Sequence, residues 1–131
     1  LAGVNLSGAN LSSAQIYGSD LSEAMLFGVD LRGANLEGAN LFVADLTEAR
    51  LRRANLSWVD LNGVDLNGAD LFVADLTEAR LSGANLSWAD LNGAKVGGAN
   101  LEGVDLVGAK ANELTIWPEG FDPVAAGVII D

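Results

Sequence analysis

The feature that most constrains the fold is a five-residue repeat that runs through most of the chain. Leucine stands at every fifth position from Leu1 to Leu106, replaced only by Ile16 and Val96, so 20 of 22 such positions are leucine. The residue two before each leucine is alanine in 16 of 22 units, and the residue between them is asparagine or aspartate in 16 of 22. This period fits neither an α-helix nor the alternation of an open strand. The chain must therefore turn within every unit.

Each unit is predicted to be a very short strand followed by a corner. The order small, polar, leucine alternates as a strand does, so the small residue and leucine face one side and the polar residue the other. Four corners close a coil of about 20 residues, and a fixed short period of this kind indicates a solenoid. We expect one inward layer to contain the following residues: Leu56, Leu61, Leu66 and Leu71.

The corners are predicted to be of two kinds. The residue two after each leucine is glycine in 13 of 22 units, and glycine accepts the positive φ that the third position of a type II turn requires. Corners such as those at Gly63 and Gly68 should therefore be type II turns. Bulky and β-branched residues disfavour positive φ, which predicts a different turn at four corners: Val43, Trp58, Val73 and Trp88.

The unit A-(D/N)-L-x-x, seen as ANL at 9–11 and 34–36 and as ADL at 69–71, resembles that of the pentapeptide-repeat family. The resemblance covers residues 1–110. It implies an all-β fold, a right-handed quadrilateral parallel β-helix with a C-terminal cap. About five and a half coils at the ~4.8 Å strand spacing would make a rod ~26 Å long.

The repeat ends after Lys110, and we expect residues 1–110 to form the β-helix and residues 111–131 a C-terminal capping segment. Trp117 and Phe121 are predicted to cover the last leucine layer, and Asp122-Pro123 is typical of a helix start. The tail WPEGFDP resembles tails on cyanobacterial members of the family. The chain begins inside the repeat, so we expect the native protein to extend further at its N-terminus.

Composition argues against several classes of function. The formal net charge is −11, from 18 acidic and 7 basic residues, so we expect no direct binding of nucleic acid or of an anionic membrane. Histidine and cysteine are absent, which excludes the usual serine and cysteine triads. No phosphate-binding loop motif is present. We expect no catalytic site, no metal site and no cofactor.

A second, longer repeat is present. Residues 41–63 and 71–93 agree at 20 of 23 positions. Their offset of 30 residues would be one and a half coils, which keeps leucine inside and moves each surface feature to the opposite wall. This pattern indicates either a tolerated duplication or one surface used twice.

Exposed aromatic and basic residues are the candidate partner contacts. The aromatic candidates occupy outward positions: Phe42, Trp58, Phe72 and Trp88. Four basic candidates are predicted to share one wall: Arg32, Arg50, Arg52 and Arg53. Arg50 is expected between two aspartates of an outward column that runs Asp30, Arg50, Asp70, Asp90, Lys110. On an adjacent wall Asp45 should stack under Asp65, either as an acidic surface or as a cation site.

These features favour a non-enzymatic structural and protein-interaction module with a protein partner, present as a monomer or weak dimer. The alternative comes from the family resemblance, because some relatives are acidic rods that mimic duplex DNA and occupy DNA gyrase. The net charge agrees with that alternative. The four arginines interrupt the acidic surface and favour the first interpretation.

Overall fold

One parallel ladder organises the computed structural model, which describes residues 1–131. Single-residue parallel bridges join positions 20 apart, from Asn5 with Met25 to Asp90 with Lys110. Twenty residues are four five-residue units, so each coil has four short walls and four corners. The fold is the right-handed quadrilateral parallel β-helix expected from the sequence.

The walls are named here by their outward columns, each linked by the bridges. The Asp45 wall contains Asn5, Met25, Asp45, Asp65, Asn85 and Asp105. The Asp30 wall contains Asn10, Asp30, Arg50, Asp70, Asp90 and Lys110. The Asn35 wall contains Gln15, Asn35, Asn55, Asp75 and Lys95. The Asp60 wall contains Asp20, Asn40, Asp60, Arg80 and Asn100.

The leucines fill the interior, as predicted. Leu56, Leu61, Leu66 and Leu71 are each 0% exposed, and the buried core runs from Leu21 to Ala111 with Val128. The first coil differs, because its apolar residues are only partly buried and Leu1 is 72% exposed. Burial of leucine, at about 25 cal/mol per Å² of apolar surface, is the main stabilising term of such a core.

The prediction of two kinds of corner is wrong. Val43, Trp58, Val73 and Trp88 have φ of 58°, 60°, 57° and 62°, close to the 66° and 69° of Gly63 and Gly68. Each corner also closes with a hydrogen bond from the small residue to the leucine carbonyl three residues earlier, as in Ala44 N to Leu41 O at 2.9 Å. Since the second residue of the corner has no positive φ, all are type II turns.

The physical reason is that the ladder dictates the corner. The Val43 N–H donates to the carbonyl of Asn62 in the next coil at 3.1 Å. Left-handed backbone costs a non-glycine residue about 1–2 kcal/mol. A type I turn would keep the turn bond but would reorient the central peptide, and the ladder bond would be lost, so the residue accepts the strain.

The C-terminal segment folds back over the last coil. Trp117 and Phe121 stack with ring centroids 5.3 Å apart and pack against the core. Two strands then pair in parallel, β1 (Lys110–Ala111) and β2 (Ile129–Ile130), with Lys110 opposite Ile129. The chain thus re-enters the ladder at its end.

The predicted helix at Asp122-Pro123 is wrong. The Asp122 carboxylate accepts the Ala125 N–H at 3.1 Å, as a helix cap does, but only a turn follows. The Val128 N–H donates to the Pro123 carbonyl at 3.0 Å, and the chain leaves the turn to form β2. The structure contains no helix that could span a membrane.

Candidate interaction surfaces

The acidic walls are built from side chains that also hold the corners. At all sixteen asparagine and aspartate positions of the columns, Oδ1 accepts the backbone N–H two residues later, at 2.9–3.2 Å. These Asx turns satisfy a corner N–H that the ladder leaves free. The sequence shows the preference for asparagine or aspartate, and the structure gives its physical reason in this bond.

Asp45 and Asp65 stack on the Asp45 wall as predicted. Each uses Oδ1 for its own corner, at 2.9 and 3.0 Å. No group of three acidic residues lies close enough together to hold a metal ion. Asp45 is exposed and Asp65 is half-buried, so both carboxylates reach the surface of this wall.

Arg32 and Asp30 form a two-bond ion pair beside the Asp30 wall. Arg32 Nε donates to Asp30 Oδ1 at 2.9 Å and Nη2 to Oδ2 at 2.6 Å. The Arg32 hydrogen bond lowers the Asp30 pKa to about 2, outweighing the opposing effect of burial, and the charge of Arg50 acts in the same direction. The Arg32 pKa is raised by the same carboxylate.

Arg50 lies between Asp30 and Asp70 on the ladder, but its guanidinium contacts only one of them. Arg50 Nη1 is 3.7 Å from Asp30 Oδ2. The Asp70 carboxylate instead pairs with Arg52 Nε, and the Arg52 guanidinium also lies 4.8 Å from the centre of the Phe72 ring. Arg50 thus stacks between two aspartates as predicted, but its guanidinium pairs only with Asp30, because Arg52 reaches Asp70 from the neighbouring corner.

Arg53 completes the arginine cluster, defined here as Arg32, Arg50, Arg52 and Arg53. Its side chain is exposed and forms no ion pair, and its φ of 58° is left-handed. Four guanidiniums thus meet two contacting carboxylates, Asp30 and Asp70. The cluster keeps uncompensated positive charge on a protein of net charge −11.

The aromatic candidates lie on different corners. Trp58 is 63% exposed, Trp88 65% and Phe42 47%, while Phe72 is partly covered by Arg52. Trp58 and Trp88 are 30 residues apart, and with 20 residues per coil they lie on opposite corners. Phe42 and Phe72 are related in the same way.

The Trp88 ring leans along the rod over the next corner. A Cβ built on Gly108 would lie 2.5 Å from the ring. The indole therefore covers the backbone of Gly108 while its other face stays open. These exposed rings and charges are the features of the surface that a partner would meet.

The comparisons with known proteins agree with this architecture. The family model described as pentapeptide repeats matches in 8 copies, over residues 5–41, 39–72 and 69–108. Rfr23, a pentapeptide repeat protein from the cyanobacterium Cyanothece 51142, is 29% identical, with 88% of each chain covered and a TM-score of 0.52. No curated protein sequence matches the chain.

Two further solved structures are from Nostoc. The pentapeptide repeat protein alr5209 from Nostoc PCC 7120 is 34% identical, covering 99% of this chain and 83% of that one, with a TM-score of 0.36. HetL, a pentapeptide repeat protein involved in heterocyst differentiation regulation in Nostoc sp. PCC 7120, is 31% identical, covering 98% and 75%, with a TM-score of 0.40.

Proposed function

The chain belongs to the pentapeptide-repeat family, and we propose that it acts as a non-enzymatic scaffold that binds a protein partner on its side walls. The corners are rigid, because every corner is held by a turn bond and by the ladder. A partner therefore meets a preformed backbone, and little backbone entropy is lost on the scaffold's side when the two bind.

The observation that carries the proposal is the pair of tryptophans. Trp58 and Trp88 are 63% and 65% exposed, and tryptophan is the residue type that most often dominates the energy of protein interfaces. Neither ring is needed inside the core, which consists of leucine, alanine and valine. Their placement on opposite corners supports contact with partners on both sides of the rod.

The second candidate is an acidic rod that binds a DNA-handling protein. The family resemblance suggests DNA gyrase as that protein. The net charge of −11 favours it. Nine of the sixteen residues that form Asx turns are aspartate, although asparagine makes the same bond. The corner therefore does not require their charge. The arginine cluster breaks this acidic surface on the Asp30 wall and favours the scaffold.

Affinity capture with matched variants tests the two candidates. The immobilised chain is compared with Trp58→Ala/Trp88→Ala and with Asp45→Asn/Asp65→Asn/Asp105→Asn in a native lysate, at low and high salt. If the scaffold proposal holds, a specific protein is lost with the tryptophan variant and kept with the aspartate variant and at high salt.

The opposite pattern supports the acidic rod. Binding would then fall steeply with salt and with the three Asp→Asn changes, as charge-driven binding does. Inhibition of gyrase supercoiling at low salt, abolished by the aspartate variant, would identify that enzyme. Asparagine keeps the corner bonds, so this variant changes charge without changing the fold.

A further inference from the structure

The 30-residue repeat provides an internal comparison for the arginine cluster. Residues 41–63 and 71–93 differ at only three positions, and two of these introduce Arg52 and Arg53 where the second copy has Ser82 and Gly83. Both differences fall on the corner that follows Arg50. Its counterpart Arg80 has no basic neighbour on its corner.

The pairing of Arg50 and Arg80 with aspartate is the same in both copies. Arg50 Nη1 lies 3.7 Å from Asp30 Oδ2, and Arg80 Nη1 lies 3.7 Å from Asp60 Oδ2. The side chains are 53% and 65% exposed. The ladder and this ion pair therefore need neither Arg52 nor Arg53.

Arg53 adds charge at a strained backbone position. Its φ is 58°, whereas Gly83 occupies the same place in the second copy with a φ of 68°. A non-glycine residue in this region costs about a factor of ten in the folding equilibrium. Arg53 forms no ion pair that would offset this strain.

We propose that Arg50 and Arg53 of the arginine cluster, on the Asp30 wall, bind a short acidic peptide segment of a partner protein. Guanidinium groups bind carboxylates in paired hydrogen bonds, and Arg32 already holds Asp30 in this way at 2.9 and 2.6 Å. Arg50 and Arg53 have donors left for carboxylates from outside.

Charge complementarity selects the occupant. The rest of the rod is acidic, so a long polyanion such as duplex nucleic acid would be repelled beyond the cluster. A short segment with a few glutamates or aspartates can contact the cluster alone. Phe72, under the Arg52 guanidinium at 4.8 Å, holds this arginine at one edge of the site.

The test is an NMR titration of the full chain with capped hexaglutamate at low salt. We expect saturable shifts of backbone amides at residues 50–53 and 72–73. Arg50→Gln and Arg53→Gln should each weaken binding about fivefold, the upper range for an exposed ion pair. Arg80→Gln is the matched control and should leave the affinity unchanged, and thermal unfolding verifies that each variant is folded.

Three results would overturn the inference: no saturable shift at the cluster, an equal loss with Arg80→Gln, or tighter binding of hexathymidylate at the same amides. The last would assign the cluster to nucleic acid instead. This inference rests on the proposed protein-binding function, but the peptide titration and the lysate capture test the two proposals separately. A titration without binding would contradict the acidic-peptide site and would not affect the capture result for the tryptophan variant. Capture that is unchanged in the tryptophan variant would contradict the tryptophan surface and would not affect the titration.

Discussion

At the scale of single residues, the aspartates and asparagines have two separable roles. Their Oδ1 atoms accept corner N–H groups, which either residue type can do. Where the column residue is Arg80, the Ser82 N–H donates instead to Asn62 Oδ1 of the preceding coil at 2.9 Å. Most corners thus place an oxygen near this N–H, while the charge of that oxygen is free to vary.

Asp75 allows this separation to be measured. It accepts the Thr77 N–H at 2.9 Å and forms no ion pair. Asp75→Ala should lower the free energy of unfolding by about 0.5–1.5 kcal/mol through loss of the bond, and Asp75→Asn should change it by less. Lys95→Ala, in the same column, is the control in urea denaturation. Equal losses for alanine and asparagine would show that charge, rather than the bond, matters.

Asp30 predicts a dependence of stability on pH. Its folded pKa is about 2, below its ordinary value of 3.8, so the carboxylate stabilises the fold above about pH 4. As the pH falls through this window, the unfolded chain takes up the proton first and the contribution is lost. The difference in unfolding free energy between wild type and Asp30→Asn should therefore shrink as the pH is lowered from about 5 to about 2. A difference independent of pH would contradict the assigned pKa.

At the scale of the corner element, bulky residues are accommodated by glycine in the next coil. Six of the nine non-glycine residues with positive φ have glycine 20 residues later, and each side chain approaches that glycine. The pairs are Ser13 with Gly33, Val43 with Gly63, Glu48 with Gly68, Val73 with Gly93, Glu78 with Gly98 and Trp88 with Gly108. In these pairs the bulky side chain of one coil occupies the space that the glycine of the next coil leaves free along the edge of the rod.

Gly108→Ala tests this sharing. Its new Cβ would overlap the Trp88 ring, 2.5 Å away, whereas a Cβ at Gly38 meets nothing within 4 Å. Both changes strain a positive φ by about 1 kcal/mol, and only Gly108→Ala should displace Trp88. Tryptophan emission should shift for Gly108→Ala and remain constant for Gly38→Ala. The same shift in both variants would contradict the arrangement.

At the scale of the whole molecule, the rod has one aliphatic core with unequal ends. At the C-terminal end Trp117, Phe121 and Val128 pack with the core and Leu101 is partly buried, whereas in the first coil Leu1 is exposed and Leu6 and Leu11 are partly buried. Each interior layer is enclosed by a layer on either side. The energetic value of a leucine should therefore depend on which coil contains it.

Leu61→Ala should lower the free energy of unfolding by about 2–5 kcal/mol, because the side chain is fully enclosed and leaves a cavity. Leu6→Ala, in the partly buried first coil, should cost clearly less.

Ala69, 1% exposed, should not accept leucine without a loss of about 1–3 kcal/mol from overpacking. Chemical denaturation measures all three changes. If Leu61→Ala does not change the stability, Leu61 does not lie in the core. If Leu61→Ala and Leu6→Ala cost the same, the first coil is not packed more weakly than the interior.

The sequence by itself determined the architecture, because a period of five with leucine at 20 of 22 positions leaves one direction for each side chain. It also placed Trp58 and Trp88 on opposite sides, since 30 residues are one and a half coils. Such features depend only on register, which a strict repeat specifies completely.

Only the tertiary structure decided the rest. Val43 adopts a positive φ of 58° because ladder bonds between coils outweigh its local preference. Residues 123–127 form a turn in place of a helix, because the chain must then reach β1 with β2. Asp70 pairs with Arg52 rather than Arg50, since side-chain reach around a corner depends on three-dimensional distance. In each case contacts between residues distant in sequence outweigh the local pattern.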